Sequence, residues 1–308
     1  MMKAVLFPGQ GAQYTGMGKS LCDGFPQAEG VFAALDETLG FKLSEKCFQA
    51  DATELKDTSL QQLAILAVSL AAFEAFRSRV DCSSVSYLSG LSLGEYSCLY
   101  PAGVISLADL ALLVRERAAA MQKAAQATSA TMLAVLGLPR AVVEEEAKKG
   151  RFYVANINSP AQIVVSVAKA DAAGVLAELA RKGAKVIELE VSGGFHSPFM
   201  EEARRRLADT LAGIPFRDAG IPIVSNVTAR PHTKADEIKA NLLAQLTVPV
   251  LWNDCVDFMC ERGVGTFYEV GPSKVLRGLM RKINPNIEVI NIEKKEDIEA
   301  LQAGGRNL

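Results

Sequence analysis

The sequence predicts an α/β fold with a mostly parallel sheet. Short apolar runs alternate with longer helical segments along the chain, which is typical of strands joined by crossover helices. A Gly-x-Ser-x-Gly motif follows one of these runs, as expected at a strand-to-helix turn. In the middle of the chain the predicted order is β-α-β-β-α-β, which indicates a small ferredoxin-like subdomain inserted into a larger domain.

The elements of the larger domain follow from apolar runs and their boundaries. Predicted strands lie at 3–7 and 83–88, and predicted long helices lie at 60–76 and 106–127. The first strand ends at Pro8-Gly9, which is a turn signal. Ser106 caps the last of these helices, with Asp109 three residues later in place of the usual capping-box Glu.

The inserted subdomain is delimited by similar signals. Its predicted strands are 132–138, 153–157, 162–167 and 185–191, and its predicted helices are 140–149 and 171–182. Pro139, Gly150 and Gly183 mark helix boundaries. The subdomain is therefore assigned to 128–191, and the large domain is discontinuous, with segments 1–127 and 192–308. The tail beyond Gly304 is expected to fray.

Composition argues against several functional classes. The 308 residues are 49% hydrophobic and 22% charged with a formal net charge of −2, so a nucleic-acid-binding protein is not expected. No run approaches the roughly 18–20 apolar residues needed to span a bilayer, and the N-terminal apolar run is too short for a secretory signal. The six cysteines form no Cys-x-x-Cys pair, so no metal site is expected. The protein is expected to be cytoplasmic with reduced thiols.

The motif Gly90-Leu91-Ser92-Leu93-Gly94 carries the first chemical signal. Its glycines are needed because the serine lies on a sharp, strained turn, and the following helix supplies free N–H groups and a positive dipole. A Gly-Ser turn without function is the alternative, because a five-residue pattern recurs by chance.

A serine nucleophile needs a general base, and His196 and His232 are the two histidines of the chain. His232 lies in a polar segment and is expected to be solvated. His196 lies between a glycine pair and Ser-Pro, in a tight loop that could aim its ring. A buried structural histidine is the alternative, but the scarcity of histidines favours His196 as the base.

Arg117 falls on the apolar stripe of its predicted helix, whereas Arg115 and Glu116 fall on the other face. A buried guanidinium must meet an anion, because an unpaired buried charge costs several kcal/mol. That anion is either a structural carboxylate or a carboxylate of the substrate, which Arg binds in bidentate fashion. From the residues alone, a structural salt bridge is the simpler interpretation.

The turn at 7–13 has the start of a dinucleotide fingerprint. The third glycine of Gly-x-Gly-x-x-Gly should stand at position 14, where this chain has Tyr14. A Rossmann cofactor site is therefore rejected, although the turn could supply an N–H to an oxyanion.

The ordered landmarks resemble the malonyl-CoA:acyl carrier protein transacylase family of bacterial fatty acid synthesis. The resemblance covers nearly the whole chain, and its landmarks are 7–13 (FPGQGAQ), 90–96 (GLSLGEY), Arg117 with Met121-Gln122, 156–160 (NINSP), 191–198 (VSGGFHSP), 225–229 (SNVTA), 245–252 (QLTVPVLW) and 269–272 (EVGP). It implies an α/β-hydrolase-like large domain and ping-pong transfer of malonyl from malonyl-CoA to acyl carrier protein, with no cofactor beyond the coenzyme A thioester substrate. A monomer is expected.

The resemblance also implies a role for individual residues. Ser92 would carry the malonyl ester, His196 would be the base, and the backbone carbonyl of Gln245 would orient its ring. The N–H groups of Gln10 and Leu93 would bind the oxyanion. In the substrate-binding part of the site, the implied residues are Arg117 on the malonate carboxylate, Asn158, Met121 and Phe195.

Two positions depart from the family pattern. Leu91 stands where the family usually has His directly before the serine, which affects the rate rather than the identity of the nucleophile. Val248 stands where the family often has Ser, which could loosen the orientation of His196.

Two other functions remain open. A serine esterase or thioesterase shares the motif, but its His usually lies near the C-terminus, whereas His196 is followed by more than a hundred residues here. A low-activity paralogue that binds carrier protein is favoured by Leu91 alone.

An acidic carrier protein should be received by a basic patch. Two clusters are available: one contains Lys274, Arg277, Arg281 and Lys282, and the other is Arg204 to Arg206. Either could instead be a solvated helix face.

Overall fold

The computed structural model describes residues 2–51 and 53–303. The expectation for the tail beyond Gly304 lies outside the described residues. The fold is α/β, with a six-stranded mixed sheet, a second four-stranded sheet and helices packed on both.

The strands, in chain order, are β1 (Met2–Phe7), β2 (Val85–Gly90), β3 (Ala130–Leu136), β4 (Phe152–Ser159), β5 (Gln162–Ala168), β6 (Lys185–Glu188), β7 (Ile223–Val224), β8 (Pro231–His232), β9 (Val264–Val270) and β10 (Glu288–Ile292). The α-helices are α1 (Lys19–Gly24), α2 (Pro26–Leu39), α3 (Leu43–Gln49), α4 (Thr58–Arg77), α5 (Leu93–Ser97), α6 (Leu107–Ala127), α7 (Arg140–Ala147), α8 (Lys169–Arg181), α9 (Glu201–Gly213), α10 (Ala235–Ala244), α11 (Trp252–Glu261), α12 (Val275–Ile283) and α13 (Lys295–Ala303).

The large sheet has the order β10-β9-β1-β2-β7-β8, and all of its pairs are parallel except the one with the two-residue edge strand β8. The predicted mostly parallel sheet is confirmed. At the end of β1, Phe7 pairs with Gly90 at the end of β2. The turns after these two central strands therefore meet at one edge of the sheet, where open α/β sheets bind their ligands.

The small sheet is antiparallel throughout, with the order β4-β5-β3-β6. Its elements follow one another as β3, α7, β4, β5, α8 and β6, which is the predicted β-α-β-β-α-β order. The predicted last strand is too long, because β6 ends at Glu188. The Val191 N–H bonds to the carbonyl of Leu189, so the chain turns there instead of continuing along β3.

The small sheet is joined by backbone hydrogen bonds to a segment of the large domain. The Ile157 N–H donates to the Val250 carbonyl (2.9 Å), and the Val250 N–H donates to the Ala155 carbonyl (2.9 Å). This bridge ties β4 to the segment that follows α10, and that segment contains Gln245.

The helix α4 corrects the expectation that no segment is long and apolar enough to span a bilayer. By length and composition it could cross a bilayer, but 83% of its most apolar window is buried inside the fold. It packs against α2 and α6. A helix enclosed by protein is apolar on every face, which explains its composition.

The predicted cap of α6 is confirmed. Ser106 Oγ accepts from the Asp109 N–H (3.1 Å) and donates to the Asp109 carboxylate (2.7 Å). The helix therefore begins where the sequence indicates, and this start fixes the position of Arg117 about three turns later.

Candidate active site

The nucleophile motif forms a strained turn between β2 and α5. Ser92 has φ 53° and ψ −101°, a conformation that costs a non-glycine residue about 1–3 kcal/mol. A Cβ on Gly94 would lie 2.0 Å from the Phe7 carbonyl oxygen, and one on Gly90 would lie 2.2 Å from the Gly94 carbonyl carbon. The motif needs Gly94 because the turn packs against the end of β1, and it needs Gly90 because the turn folds back on itself. The predicted strand–turn–helix context is confirmed, although α5 is only five residues long.

Ser92 and His196 are in hydrogen-bond contact. His196 Nε2 lies 2.8 Å from Ser92 Oγ, and its Nδ1 donates to the backbone carbonyl of Gln245 at 2.8 Å. This second bond assigns the proton to Nδ1 and leaves Nε2 free to accept the serine proton. Val248 does not prevent this arrangement.

Burial keeps the His196 ring neutral. Burial lowers the pKa of His196 to about 4, and the nearby Arg117 charge makes a smaller contribution in the same direction. The hydrogen bond to the Gln245 carbonyl acts in the opposite direction. At neutral pH the imidazole is therefore a proton acceptor.

His232 lies elsewhere, on the edge strand β8. It bonds to Glu237 and Thr228 at 2.9 Å each, and its side chain is 19% exposed. From the sequence, His232 is expected to be a solvated loop residue. The antiparallel pairing of β8 with β7 instead leaves it half-buried.

Arg117 reaches the nucleophile from α6. It is fully buried, and its Nη2 donates to Ser92 Oγ (3.1 Å) and to Gln245 Oε1 (3.2 Å), while Nη1 donates to Gln62 Oε1 (2.5 Å). Its guanidinium also stacks over the Tyr96 ring at 4.6 Å. Within 2–51 and 53–303 no carboxylate forms an ion pair with it, so the structural salt bridge is wrong.

Gln245 contributes more than its carbonyl. Its fully buried side chain donates from Nε2 to Glu95 Oε2 (2.7 Å) and to the Ser92 carbonyl (3.1 Å). One residue therefore contacts His196, Arg117 and the backbone of Ser92 at once.

The two predicted oxyanion donors lie on either side of Ser92. Leu93 is the first residue of α5, where a helical N–H has no partner within the helix. Gln10 lines the same cavity as Ser92, and its side chain is held by Gln61 at 2.7 Å. In the described part of the chain, neither backbone N–H is bonded to a protein acceptor.

A cavity of about 480 Å³ opens above this group, between the two sheets. Its wall includes Ser92, His196, Gln10, Asn158 and Phe195, with Asn156, Met132 and Val164 from the small sheet. Met121 is buried below the wall and does not line the cavity. Its sulfur lies 3.7 Å from Nε2 of Gln62, which in turn contacts Arg117. Leu91 also lines the cavity, and its N–H bonds to the Phe7 carbonyl at 3.1 Å.

Three residues of the site have no predicted role. Gln62 holds Arg117, Asn226 accepts from the Ser92 N–H (2.7 Å), and Glu95 lies buried beneath them. Glu95 and Asn226 fall inside recognised landmarks, so a signal was present, but nothing in the sequence indicates what they contact. Among the described residues no cluster of three or more His, Cys, Asp or Glu is arranged to hold a metal ion.

Comparison with known proteins gives one consistent family. The family model of the acyl transferase domain matches residues 5–298. The chain is 40% identical over 303 residues to a malonyl CoA-acyl carrier protein transacylase of Bacillus subtilis (strain 168), covering 96% of this chain and 95% of that protein. It is 36% identical over 306 residues to the protein of that name from Staphylococcus aureus (strain MRSA252), covering 96% and 97%.

Solved structures agree with the sequence comparison. An acyl-carrier-protein-S-malonyltransferase from Bartonella henselae superposes with a TM-score of 0.94 at 35% identity, covering 99% of each chain. A malonyl-transacylase in complex with its type II PKS acyl-carrier protein also gives a TM-score of 0.94, at 32% identity, covering 99% of this chain and 100% of that one.

Proposed function

The chain belongs to the acyl transferase domain family, and on that premise we propose that Ser92 carries the acyl group during transfer. The protein transfers a malonyl group from malonyl-CoA to acyl carrier protein in fatty acid synthesis. The observation that carries the mechanism is the Arg117 guanidinium, which lies 3.1 Å from Ser92 Oγ without a carboxylate partner in the described chain. An acyl group with a free carboxylate supplies that partner.

In the first half-reaction, His196 Nε2 accepts the Ser92 proton while Oγ attacks the thioester carbonyl carbon. The negative charge that develops on the carbonyl oxygen is stabilised by the N–H groups of Gln10 and Leu93. The carbon–sulfur bond then breaks, and the leaving coenzyme A sulfur takes the proton from His196. The product is a malonyl ester of Ser92.

The second half-reaction reverses these steps with a different thiol. His196 removes the proton of the phosphopantetheine thiol of the carrier protein, and the sulfur attacks the ester carbonyl. The ester bond breaks, and Ser92 Oγ recovers its proton from His196. One thioester is exchanged for another, so no external energy source is needed.

Arg117 selects the substrate and positions it. Its fixed, buried guanidinium holds the malonyl carboxylate, and therefore the reacting carbonyl, in one pose beside Ser92. Asn158 and Phe195 shape the cavity above, and Met121 supports Gln62 and through it Arg117. An acetyl group lacks the carboxylate and leaves the buried charge unpaired.

The architecture divides into an α/β-hydrolase-like large domain, 1–127 with 192–308, and a ferredoxin-like subdomain, 128–191. In support, the small sheet has its own apolar core of thirteen buried residues, including Leu133, Val143 and Leu179. Its order β4-β5-β3-β6 places the first and third strands of the unit in the centre, as the split β-α-β arrangement requires.

The carrier protein is proposed to bind at the cationic face of α12, formed by Lys274, Arg277, Arg281 and Lys282. None of these four is ion-paired within the described residues, whereas Arg204, Arg205 and Arg206 pair with Glu201 or Glu202. Cations without an ion-pair partner attract an acidic partner more strongly than neutralised ones. The face also follows β9 and Gly271, at the edge of the sheet where the site lies.

Charge reversal tests this face. Lys274→Glu with Arg281→Glu should raise KM for carrier protein at least tenfold and leave KM for malonyl-CoA unchanged, and Arg205→Glu is the matched control. If the double variant and Arg205→Glu raise KM for carrier protein equally, the α12 face has no special role.

We place the protein in the cytoplasm, as a monomer, without a cofactor beyond its coenzyme A thioester substrate. Its six free cysteines are consistent with a reducing compartment.

The ratio of thiol transfer to hydrolysis tests the function against a thioesterase. Malonyl-CoA is mixed with carrier protein, and malonyl-carrier protein and free malonate are measured together. Transfer should exceed hydrolysis by at least tenfold. Hydrolysis as the main outcome would support the esterase alternative. If neither malonyl-carrier protein nor free malonate forms, the result would support the low-activity paralogue that Leu91 suggests.

A further inference from the structure

Asn226 bridges the strained turn that carries Ser92. Its side-chain Oδ1 accepts from the Ser92 N–H at 2.7 Å, and its Nδ2 donates to the Gly90 carbonyl at 2.8 Å. The two bonds lie on either side of Leu91, so one fully buried amide spans the turn from the end of β2 to the nucleophile.

Asn226 is itself held in place. Its N–H donates to Glu95 Oε2 at 3.0 Å, and its carbonyl accepts from the Leu251 N–H at 2.8 Å. All of its polar groups are therefore bonded, and the amide cannot rotate without breaking two contacts with the turn.

Glu95 connects this support to the catalytic base. The same Oε2 that accepts from Asn226 also accepts from Gln245 Nε2 at 2.7 Å, and the Gln245 carbonyl orients His196. One buried carboxylate thus sets the positions of the segment that holds the nucleophile and of the segment that holds the base.

We infer that Asn226 is a positioning residue for the transfer reaction, anchored by Glu95. It holds Ser92 in its left-handed conformation, with Oγ directed at His196, and it occupies the Ser92 N–H so that the adjacent Leu93 N–H remains for the oxyanion. Asn226 does not line the cavity. The inference rests on the proposed role of Ser92 as the nucleophile.

The test separates positioning from binding and from folding. The rate of malonyl-Ser92 formation is measured by rapid quench for Asn226→Ala and Asn226→Asp, and the Kd of malonyl-CoA is measured by calorimetry in a Ser92→Ala background. Ser89→Ala is the matched control, because Ser89 is fully buried and its Oγ bonds to the Val224 carbonyl (3.0 Å) between the same two segments, away from the turn.

Asn226→Ala should slow ester formation about 100-fold, the order expected for a nucleophile displaced by about 1 Å, with Kd unchanged within about twofold. Asn226→Asp, which keeps the acceptor for Ser92 and has the same shape, should lose only about tenfold, and it carries the test if Asn226→Ala does not fold. Ser89→Ala should stay within about twofold of the native rate.

Equal rates for the Asn226 variants and Ser89→Ala would overturn the inference while leaving the proposed function intact. A rise in Kd that matches the fall in rate would overturn it too, because Asn226 would then act on binding. A native protein that forms no ester would instead refute the proposed function.

Discussion

Burial sets the proton affinity of His196. The ring sits 5% exposed between Ser92 and Gln245, and the cost of placing a second charge near buried Arg117 adds to the cost of desolvation. Both effects lower the pKa, so the base is ready at neutral pH without a carboxylate partner.

The pH dependence of kcat/KM should reflect this low pKa. Since the pKa of His196 is about 4 in the free protein, the base stays unprotonated as the pH falls from 7 to about 5. Activity should then be lost as the pH drops through about 4. The measurement is kcat/KM for malonyl-CoA from about pH 3 to 8, and an acid limb centred near 6.5 would contradict the burial argument.

Acid unfolding is the control for that profile. The unfolded histidine binds a proton below about pH 6.5, whereas the folded one does so only near 4, so this group lowers stability as the pH falls through that window. Samples returned to pH 7 must therefore recover full activity.

Arg117 should determine preference for malonyl over acetyl groups. Arg117→Ala removes one partner of a buried ion pair in the substrate complex, which costs about 3–5 kcal/mol, a factor of at least 100 in kcat/KM for malonyl-CoA. The matched control is Arg115→Ala, since Arg115 is exposed on the other face and pairs with Glu116. Equal losses for malonyl-CoA and acetyl-CoA would show that Arg117 does not read the carboxylate.

At the scale of elements, the turn after β2 depends on close packing against β1. Gly94 lies so near the Phe7 carbonyl that any side chain requires a backbone shift. The nucleophile turn is therefore packed directly against the end of β1, which suits a site that must be held within a fraction of an ångström.

Gly94→Ala should destabilise the protein by about 1–3 kcal/mol or more, because the added Cβ meets backbone rather than a flexible side chain. Gly30→Ala is the control: Gly30 is exposed on α2 with open space around it, and the change should stabilise by up to about 1 kcal/mol. Urea unfolding measures both. A stable Gly94→Ala protein with native acylation would mean that the turn tolerates adjustment.

Local signals predicted most elements well. Neighbouring residues determine the strand at β1, the cap at Ser106 and the alternation in β5, so these features can be predicted from local sequence. The end of β6 and the burial of α4 depend on what packs against them, and no local pattern reveals that.

At the scale of the whole molecule, the cavity is lined both by the turns that follow β1 and β2 and by strands of the small sheet, so substrate binding should stabilise the protein globally. Malonyl-CoA at 100 times its Kd should add about 2.7 kcal/mol to the stability of a Ser92→Ala protein and raise its Tm. Acetyl-CoA at the same concentration should give a smaller shift, because it leaves Arg117 unpaired. Equal shifts with both thioesters would contradict this pairing.

The candidate site was predicted in part. Ser92, His196 and Arg117 stand out by motif, scarcity and helical position, and the structure brings them together across 104 and 25 positions of sequence. Asn226, Glu95 and the side chain of Gln245 were missed because their contacts span 131 to 153 positions. The packing of segments that are distant in sequence determines which buried amide bonds to which carbonyl.

Intact-protein mass spectrometry after mixing with malonyl-CoA tests the central claim most directly. The native protein should gain one malonyl group, Ser92→Ala should gain none, and the group should pass to added holo carrier protein. A folded native protein without the adduct, or an adduct that persists in Ser92→Ala, would contradict a reaction through Ser92.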